Sequence, residues 1–189
     1  MSDAKNKWPG RIFLCGFMGS GKSTIGMQLA EYADTPFIDL DTHIVEEAGK
    51  TITEIFEQEG EERFRSLERR MVRRACEQMH GVIALGGGAL HDQEVVDLIK
   101  QRGLLIYLSA SLTNLIQRIY DDRERPLLLD EHGRLKSIKE LEEELGERYR
   151  YRQQWYQQAH LTVKTDQFET SNQAAEQLIQ KIEEHVSDR

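Results

Sequence analysis

The sequence predicts an α/β fold, a three-layer α/β/α sandwich in which helices cover both faces of a central, mostly parallel, five-stranded sheet. Two observations support this prediction. Short apolar runs alternate along the chain with longer segments of helical periodicity. The first strand is joined to the first helix by a glycine-rich pattern. Because 189 residues suffice for one such domain and are short for two, we expect a single domain over residues 1–189.

The first part of the chain supplies three strands and three helices. The strands are predicted over 11–15, 36–41 and 81–85. The helices are predicted over 23–33, 51–58 and 61–79. A capping-box sequence at Thr51 opens the second helix and Gly60 ends it. Strand, helix and strand at this spacing favour a parallel sheet with right-handed crossovers.

The second part of the chain completes the sheet. Strands are predicted over 103–108 and 161–163. Helices are predicted over 93–101, 111–119, 137–158 and from 170 onward. Between 121 and 133 the helical periodicity ends and polar residues dominate, which predicts a mobile surface segment. The core of the fold is therefore expected in 11–120 and 160–187.

The composition argues against several classes of protein. A net charge of −8 argues against a general nucleic-acid binder, so no nucleic-acid partner is expected. Apolar runs are too short to span a bilayer, and the first five residues lack the apolar stretch of a signal peptide, so no membrane partner is expected. Cys15 and Cys76 form no disulfide or metal framework, which favours a cytoplasmic protein with two buried thiols.

Residues Gly16–Thr24, here called the phosphate loop, match the pattern G-x-x-x-x-G-K-[ST]. The candidate nucleotide-binding residues are Gly19, Ser20, Gly21, Lys22, Ser23 and Thr24. The Lys22 ammonium would reach the β- and γ-phosphates of a nucleotide, and the Ser23 hydroxyl would bind Mg²⁺. The alternative is a glycine-rich turn with a surface lysine. The strand before the loop and the helix after it favour the nucleotide site.

Two carboxylates follow the second predicted strand, at the edge of the sheet where ligands bind in such folds. Asp39 and Asp41 are two residues apart, so an extended strand would place them on one face. One carboxylate is enough to hold Mg²⁺, directly or through water, and the other could accept a hydroxyl proton. The alternative is that Asp41 only caps the next helix.

Three consecutive glycines, Gly86, Gly87 and Gly88, end the third strand. Such a run packs poorly and allows the backbone to approach a ligand closely. An acidic protein could also place arginines around a polyphosphate site. The local pattern does not decide which ones, and a solvated helix face is the usual explanation of the charges around Arg65.

Six segments in series make the chain resemble the shikimate kinase family over nearly its whole length. They are Gly16–Ser23, Phe37–Asp41, Phe64–Glu68, Leu85–Gly88, Arg125–Leu128 and the Arg-x-x-x-Tyr pattern from Arg152 to Tyr156. The resemblance implies a P-loop NTPase fold of the nucleoside monophosphate kinase type. It also implies a substrate-binding region at about 41–70 and a lid at about 121–134.

The resemblance implies a role for each matched residue. Lys22 would activate the γ-phosphate, Ser23 and Asp39 would hold Mg²⁺, and Asp41 would bind the acceptor and help to deprotonate it. Arg65 and Arg152 would hold the shikimate carboxylate beside Gly86–Gly88. The lid residue Arg125 would close over the transferring phosphoryl group, and Arg118 would lie beside the adenine.

The implied activity is transfer of the γ-phosphoryl group of ATP to the 3-hydroxyl of shikimate, with Mg²⁺ as cofactor and shikimate and ATP as partners. We expect a monomer, because no exposed apolar helix face stands out. The alternatives are another small-molecule kinase, acting on gluconate or a nucleoside monophosphate, and a regulator that binds nucleotide without turnover.

The sequence departs from the family pattern at two places. The interval between Arg125 and Arg152 is longer than usual, and Gln154 stands where a proline is common.

Overall fold

Five parallel strands form the central sheet of the computed structural model, which describes residues 8–120, 128–130 and 132–188. The strands are β1 (Arg11–Cys15), β2 (Phe37–Asp39), β3 (Gly81–Ala84), β4 (Leu104–Ser109) and β5 (Leu161–Lys164). Their order across the sheet is β2-β3-β1-β4-β5, and all neighbouring pairs are parallel. The predicted α/β architecture is confirmed.

Seven helices connect and cover the strands of the described chain. They are α1 (Lys22–Ala33), α2 (Leu40–Ala48), α3 (Ile52–Gln78), α4 (Gln93–Arg102), α5 (Leu112–Ile119), α6 (Ile138–Tyr156) and α7 (Ser171–Ser187). Capping boxes that begin at Thr51, Ser137 and Thr170 start α3, α6 and α7. The predicted break at Gly60 lies within α3, where that residue has φ 84° and ψ 169°.

The second strand is shorter than the sequence predicts, and a helix that was not among the predicted elements follows it. The backbone N–H of Asp41 donates to Asp39 Oδ1 at 3.0 Å, so Asp39 caps α2 and β2 ends there. Asp41 therefore lies in the first turn of α2 rather than on a strand. The capping role that the sequence analysis considered for Asp41 belongs to Asp39.

Side chains on the two faces of the sheet pack into two separate apolar layers. On β1, Phe13 belongs to one layer and Ile12 and Leu14 to the other. Helices α1 and α7 cover one face, and α2 to α6 contribute to the layer on the other face. Both faces are buried, which explains why the strands read as nearly continuous apolar runs. Cys15 and Cys76 are free and buried, as predicted.

The predicted lid, about 121–134, is described only in part, because residues 121–127 and 131 lie outside the described residues. Leu128 is fully buried in the core, and its carbonyl oxygen accepts the N–H of Lys136 at 2.9 Å. Asp130 Oδ1 accepts the backbone N–H groups of His132 and Arg134. The boundaries of the lid stay a prediction. In the described part of the chain, no helix has the length and apolar character needed to cross a membrane.

We expect Gly103→Ala to lower the free energy of unfolding by about 1–3 kcal/mol, because added atoms strain a packed interior. Gly103 has an ordinary extended backbone, with φ −174°, but a Cβ there would lie 2.6 Å from the carbonyl oxygen of Arg11. The matched control is Gly10→Ala, where the nearest heavy atom would be 3.8 Å away. Urea unfolding measures both. Equal effects of the two substitutions would contradict the packing of β4 against β1.

Candidate active site

The phosphate loop joins β1 to α1, and three of its glycines have backbones that side chains rarely allow. Gly16, Gly19 and Gly21 have φ values of 151°, 76° and 92°. A Cβ on Gly16 would lie 2.6 Å from the carbonyl oxygen of Leu108, and one on Gly19 would lie 2.7 Å from that of Leu115. The loop therefore depends on glycine for its curvature and for its close packing on β4 and α5.

Lys22 begins α1 and turns its ammonium back over the loop. Its Nζ donates to the carbonyl oxygens of Gly16, at 2.9 Å, and Phe17, at 3.2 Å. A lysine ammonium has three donors, so one N–H is left for a phosphate oxygen. Burial lowers the pKa of Lys22, and the negative charge of Asp41 opposes that shift. The Ser20 Oγ is buried without a hydrogen-bond partner in the described part of the chain.

Ser23 and Asp39 meet beside the loop, as the sequence analysis requires of a shared metal site. The Ser23 hydroxyl donates to Asp39 Oδ2 at 3.2 Å. A hydroxyl and a carboxylate are hard oxygen ligands of the kind that Mg²⁺ prefers, so the donor set fits this ion. No group of three or more His, Cys, Asp or Glu side chains within the described residues could hold a metal. Further ligands would have to come from water and the nucleotide.

Asp41 carries the group best suited to accept a proton. Its Oδ1 is buried and has no hydrogen-bond partner among the described residues. Burial raises the pKa of the Asp41 carboxyl to about 6, and the charges of Asp39 and Glu68 add to the shift. A carboxylate oxygen that is buried without a partner is costly, which points to a hydrogen-bond donor supplied by a ligand.

Gly86–Gly88, here called the glycine wall, lies against the charged groups of the site. A Cβ on Gly86 would lie 2.5 Å from Asp41 Oδ1 and 2.9 Å from Glu68 Oε1. A Cβ on Gly88 would lie 2.4 Å from Arg65 Nη1. Glycine at positions 86 and 88 therefore leaves the space that these side chains occupy. The close approach of this backbone to a ligand stays a prediction.

Arg65 is held by two carboxylates on its own helix, α3. Its Nη1 donates to Glu68 Oε2 at 2.7 Å, and its Nη2 donates to Glu61 Oε1 at 3.1 Å. Glu61 is a solvated partner, with 68% of its side chain exposed, whereas Glu68 is only 3% exposed. The interpretation as a solvated helix face is therefore right for Glu61 and incomplete for Glu68.

The sequence analysis missed Glu68 as part of the site, although a signal was present. Glu68 follows the spacing of Phe64, Leu67 and Met71, the buried apolar face of α3. A carboxylate at such a position needs a partner, because a buried unpaired charge is strongly disfavoured. Arg65 is that partner, through the 2.7 Å bond from its Nη1 to Glu68 Oε2.

Arg152, on α6, connects the phosphate loop with the glycine wall. Its guanidinium carbon lies 5.4 Å from the centre of the Phe17 ring, a cation–π contact. A Cβ on Gly87 would lie 3.3 Å from Arg152 Nη1. The Tyr156 hydroxyl donates to the Gly87 carbonyl oxygen at 2.6 Å and so anchors the end of α6 beside the wall.

Arg118, on α5, lies at the other end of the site. It donates from Nη1 to Thr165 Oγ1 at 2.9 Å, from Nη2 to the Thr165 carbonyl oxygen at 3.0 Å, and from Nη1 to the Gly19 carbonyl oxygen at 3.3 Å. Thr165 Oγ1 in turn donates to the Ser109 carbonyl oxygen at 3.2 Å. These bonds tie the segment after β5 to the phosphate loop.

One cleft of about 1640 Å³ collects these groups. Residues from the sequence prediction that line it are Gly19, Ser20, Gly21, Lys22, Ser23, Thr24, Asp39, Asp41, Arg65, Gly87, Gly88, Arg118 and Arg152. Gly86 borders Asp41 without lining the cleft, and Arg125 lies outside the described residues. The cleft therefore combines a phosphate cradle at one end with a carboxylate and two arginines at the other.

The sequence comparisons agree with this arrangement. A family model described as shikimate kinase matches residues 18–183. A shikimate kinase of Chlorobium luteolum is 44% identical over 184 residues, which cover 97% of this chain and 91% of the relative. A shikimate kinase of Chlorobaculum tepidum is 41% identical over 175 residues, 93% of this chain and 91% of the relative.

Solved structures agree as well. A shikimate kinase from Bacteroides thetaiotaomicron superposes with a TM-score of 0.82 at 32% identity, covering 95% of this chain and 99% of the other. A shikimate kinase from Acinetobacter baumannii, solved in complex with shikimate, superposes with a TM-score of 0.72 at 35% identity. The match covers 95% of this chain and 93% of the other. A gluconokinase from Sinorhizobium meliloti superposes with a TM-score of 0.54 at 16% identity, covering 96% of this chain and 95% of the other. This similarity shows a shared fold only.

Proposed function

Because the chain belongs to the shikimate kinase family, we propose that it transfers the γ-phosphoryl group of ATP to the 3-hydroxyl of shikimate, giving shikimate 3-phosphate and ADP. The observation that carries the assignment is the single cleft in which the phosphate loop faces Asp41, Arg65 and Arg152. A polyphosphate donor and a small anionic alcohol both find complementary groups there.

The nucleotide half of the site consists of the phosphate loop with Ser23, Asp39 and Arg118. The loop N–H groups and the positive end of α1 bind phosphate oxygens, and the remaining N–H of Lys22 stabilises charge on the transferring group. Ser23 and Asp39 would hold Mg²⁺, which supplies charge neutralisation on the phosphates when it is bound. Arg118, fixed by Thr165 and Gly19, borders the base.

The acceptor half centres on Asp41. The shikimate 3-hydroxyl donates to Asp41 Oδ1, which is otherwise without a partner in the described chain. As the hydroxyl oxygen forms its bond to the γ-phosphorus, the bond from that phosphorus to the β–γ bridging oxygen breaks. The hydroxyl proton passes to Asp41, and ADP leaves with the electron pair. A pKa of about 6 suits a carboxylate for this task near neutral pH.

Arg65 and Arg152 hold the shikimate carboxylate against the glycine wall. Guanidinium groups bind carboxylates with two parallel hydrogen bonds, which fixes orientation as well as affinity. Arg125 would close over the transferring phosphoryl group as part of the lid. Closure of the lid would exclude water, which would otherwise hydrolyse ATP.

The sequence also supports a proposal about the location and partners of the enzyme. We propose that it acts as a cytoplasmic monomer with shikimate and ATP as its partners, and with neither nucleic acid nor membrane. Its net charge of −8 supports the absence of a nucleic-acid partner. Both cysteines are free and buried, which supports a reducing compartment.

We expect the purified protein to phosphorylate shikimate with Mg-ATP, and Lys22→Met to lower kcat by about 10² to 10³, because one charged contact to the transition state is lost. A coupled assay for ADP gives both rates. Gluconate and nucleoside monophosphates serve as competing acceptors, and thermal unfolding verifies that the variant is folded.

Full activity of a folded Lys22→Met variant would show that the Lys22 ammonium takes no part in phosphoryl transfer. Faster turnover of gluconate or of a nucleoside monophosphate than of shikimate would refute shikimate as the acceptor. Binding of shikimate without formation of product would favour the alternative of a regulator that binds nucleotide without turnover.

We expect Gly88→Ala to raise the KM for shikimate about 10-fold or more, which corresponds to about 1.4 kcal/mol. The new Cβ would collide with Arg65 Nη1, which is the far end of a flexible side chain, so the guanidinium moves while the fold remains stable. Gly10→Ala is the control, because Gly10 does not line the cleft and a Cβ there would be 3.8 Å from the nearest heavy atom. If both variants had the same KM as the parent, Arg65 would not be a ligand of the carboxylate.

A further inference from the structure

One face of α6 brings three side chains into the cleft rather than one. Arg148, Tyr151 and Arg152 all line it, at the helical spacing of i, i+3 and i+4. Arg152 is the only one of the three that the family resemblance identifies. Tyr151 is 56% exposed, and Arg148 is exposed one helical turn before Arg152.

Unlike Arg65 and Arg118, Arg148 has no ion-pair or hydrogen-bond partner among the described residues. Within residues 8–120, 128–130 and 132–188 it forms no ion pair and no hydrogen bond through its guanidinium. Arg65 is paired with two carboxylates, and Arg118 is occupied by carbonyl and hydroxyl oxygens. In a chain with a net charge of −8, an arginine without a carboxylate partner leaves local positive charge in the cleft.

The course of α6 places Arg148 in the cleft one helical turn beyond Arg152, on the side away from the glycine wall. The helix ends at Tyr156, whose hydroxyl binds Gly87 of the glycine wall. Arg152 is one turn from that end and Arg148 two turns, a difference of about 6 Å at 1.5 Å per residue. Tyr149 donates its hydroxyl to the Ala110 carbonyl oxygen at 2.7 Å, which holds this stretch of helix in place.

We propose that Arg148 is a further specificity-determining residue, which attracts the acceptor carboxylate electrostatically and delivers it to Arg65 and Arg152. The inference rests on the proposed function, because it takes shikimate as the acceptor. An exposed cation near a bound anion raises affinity modestly and raises the rate of encounter, and salt weakens both effects. Arg148 therefore acts on acceptor binding and leaves the chemical step to the groups deeper in the cleft.

The test is steady-state kinetics of Arg148→Gln with shikimate and Mg-ATP. We expect the KM for shikimate to rise about 3- to 10-fold, with kcat and the KM for ATP within about twofold of the parent. Arg148→Lys keeps the charge and should restore most of the affinity. The matched control is Arg150→Gln, an exposed arginine two residues along the same helix that does not line the cleft. It should leave all three constants unchanged.

Salt dependence separates attraction from a structural effect. The difference in KM between the parent and Arg148→Gln should shrink towards zero as NaCl is raised to about 0.5 M, since the Debye length falls to a few ångströms. An unchanged KM in Arg148→Gln would overturn the proposal. An equal rise in the KM for shikimate in Arg150→Gln would also overturn it. So would a rise in Arg148→Gln that does not change with salt, or one accompanied by an equal rise in the KM for ATP. The parent's own turnover of shikimate tests the proposed function separately.

Discussion

The buried ion pair between Glu68 and Arg65 is the interaction on which the proposed acceptor site depends. The two side chains lie three residues apart on α3, joined by a hydrogen bond of 2.7 Å, and Glu68 is only 3% exposed. Glu68 turns the arginine away from solvent and towards Gly88. Such a pair contributes little net stability, because desolvation offsets the attraction, so fixing the guanidinium is its physical justification. The glycine wall makes this possible, because a side chain at Gly86 or Gly88 would occupy the same space.

The same wall couples the acceptor site to the phosphate loop. Arg152 lies over the ring of Phe17, a residue of the loop, and its guanidinium borders Gly87. Tyr156 anchors the end of its helix to the wall. Asp41 lies between the two halves, near Lys22 on one side and Gly86 on the other. The two ends of the cleft are thus joined by direct contacts, and phosphoryl transfer depends above all on positioning.

The sequence predicted the sheet and the phosphate loop because both depend on local patterns. Strands buried on both faces are continuously apolar, and the loop's glycines are required by its own backbone. The helix after Asp39 was missed because a capping aspartate looks the same as one that ends a strand. The tertiary contacts of the arginines with the glycine wall escaped local reasoning. Nothing near Arg65 or Arg152 in the sequence indicates that they meet at Gly88, so the family resemblance had to select them. Arg148 was visible only as a member of a charged helix, whereas Glu68 ended a matched family segment and followed the spacing of the apolar face of α3.

A double-mutant cycle between Glu68→Gln and Arg65→Lys, read as the free energy of shikimate binding, tests the central claim most directly. If Glu68 acts by positioning Arg65, each substitution should weaken binding and the two losses should not add. We predict a coupling energy of at least about 1 kcal/mol, in the range seen for residues in direct contact. All variants must be shown to be folded at the assay temperature, because breaking a buried pair also lowers stability. Fully additive losses in folded variants would contradict the account.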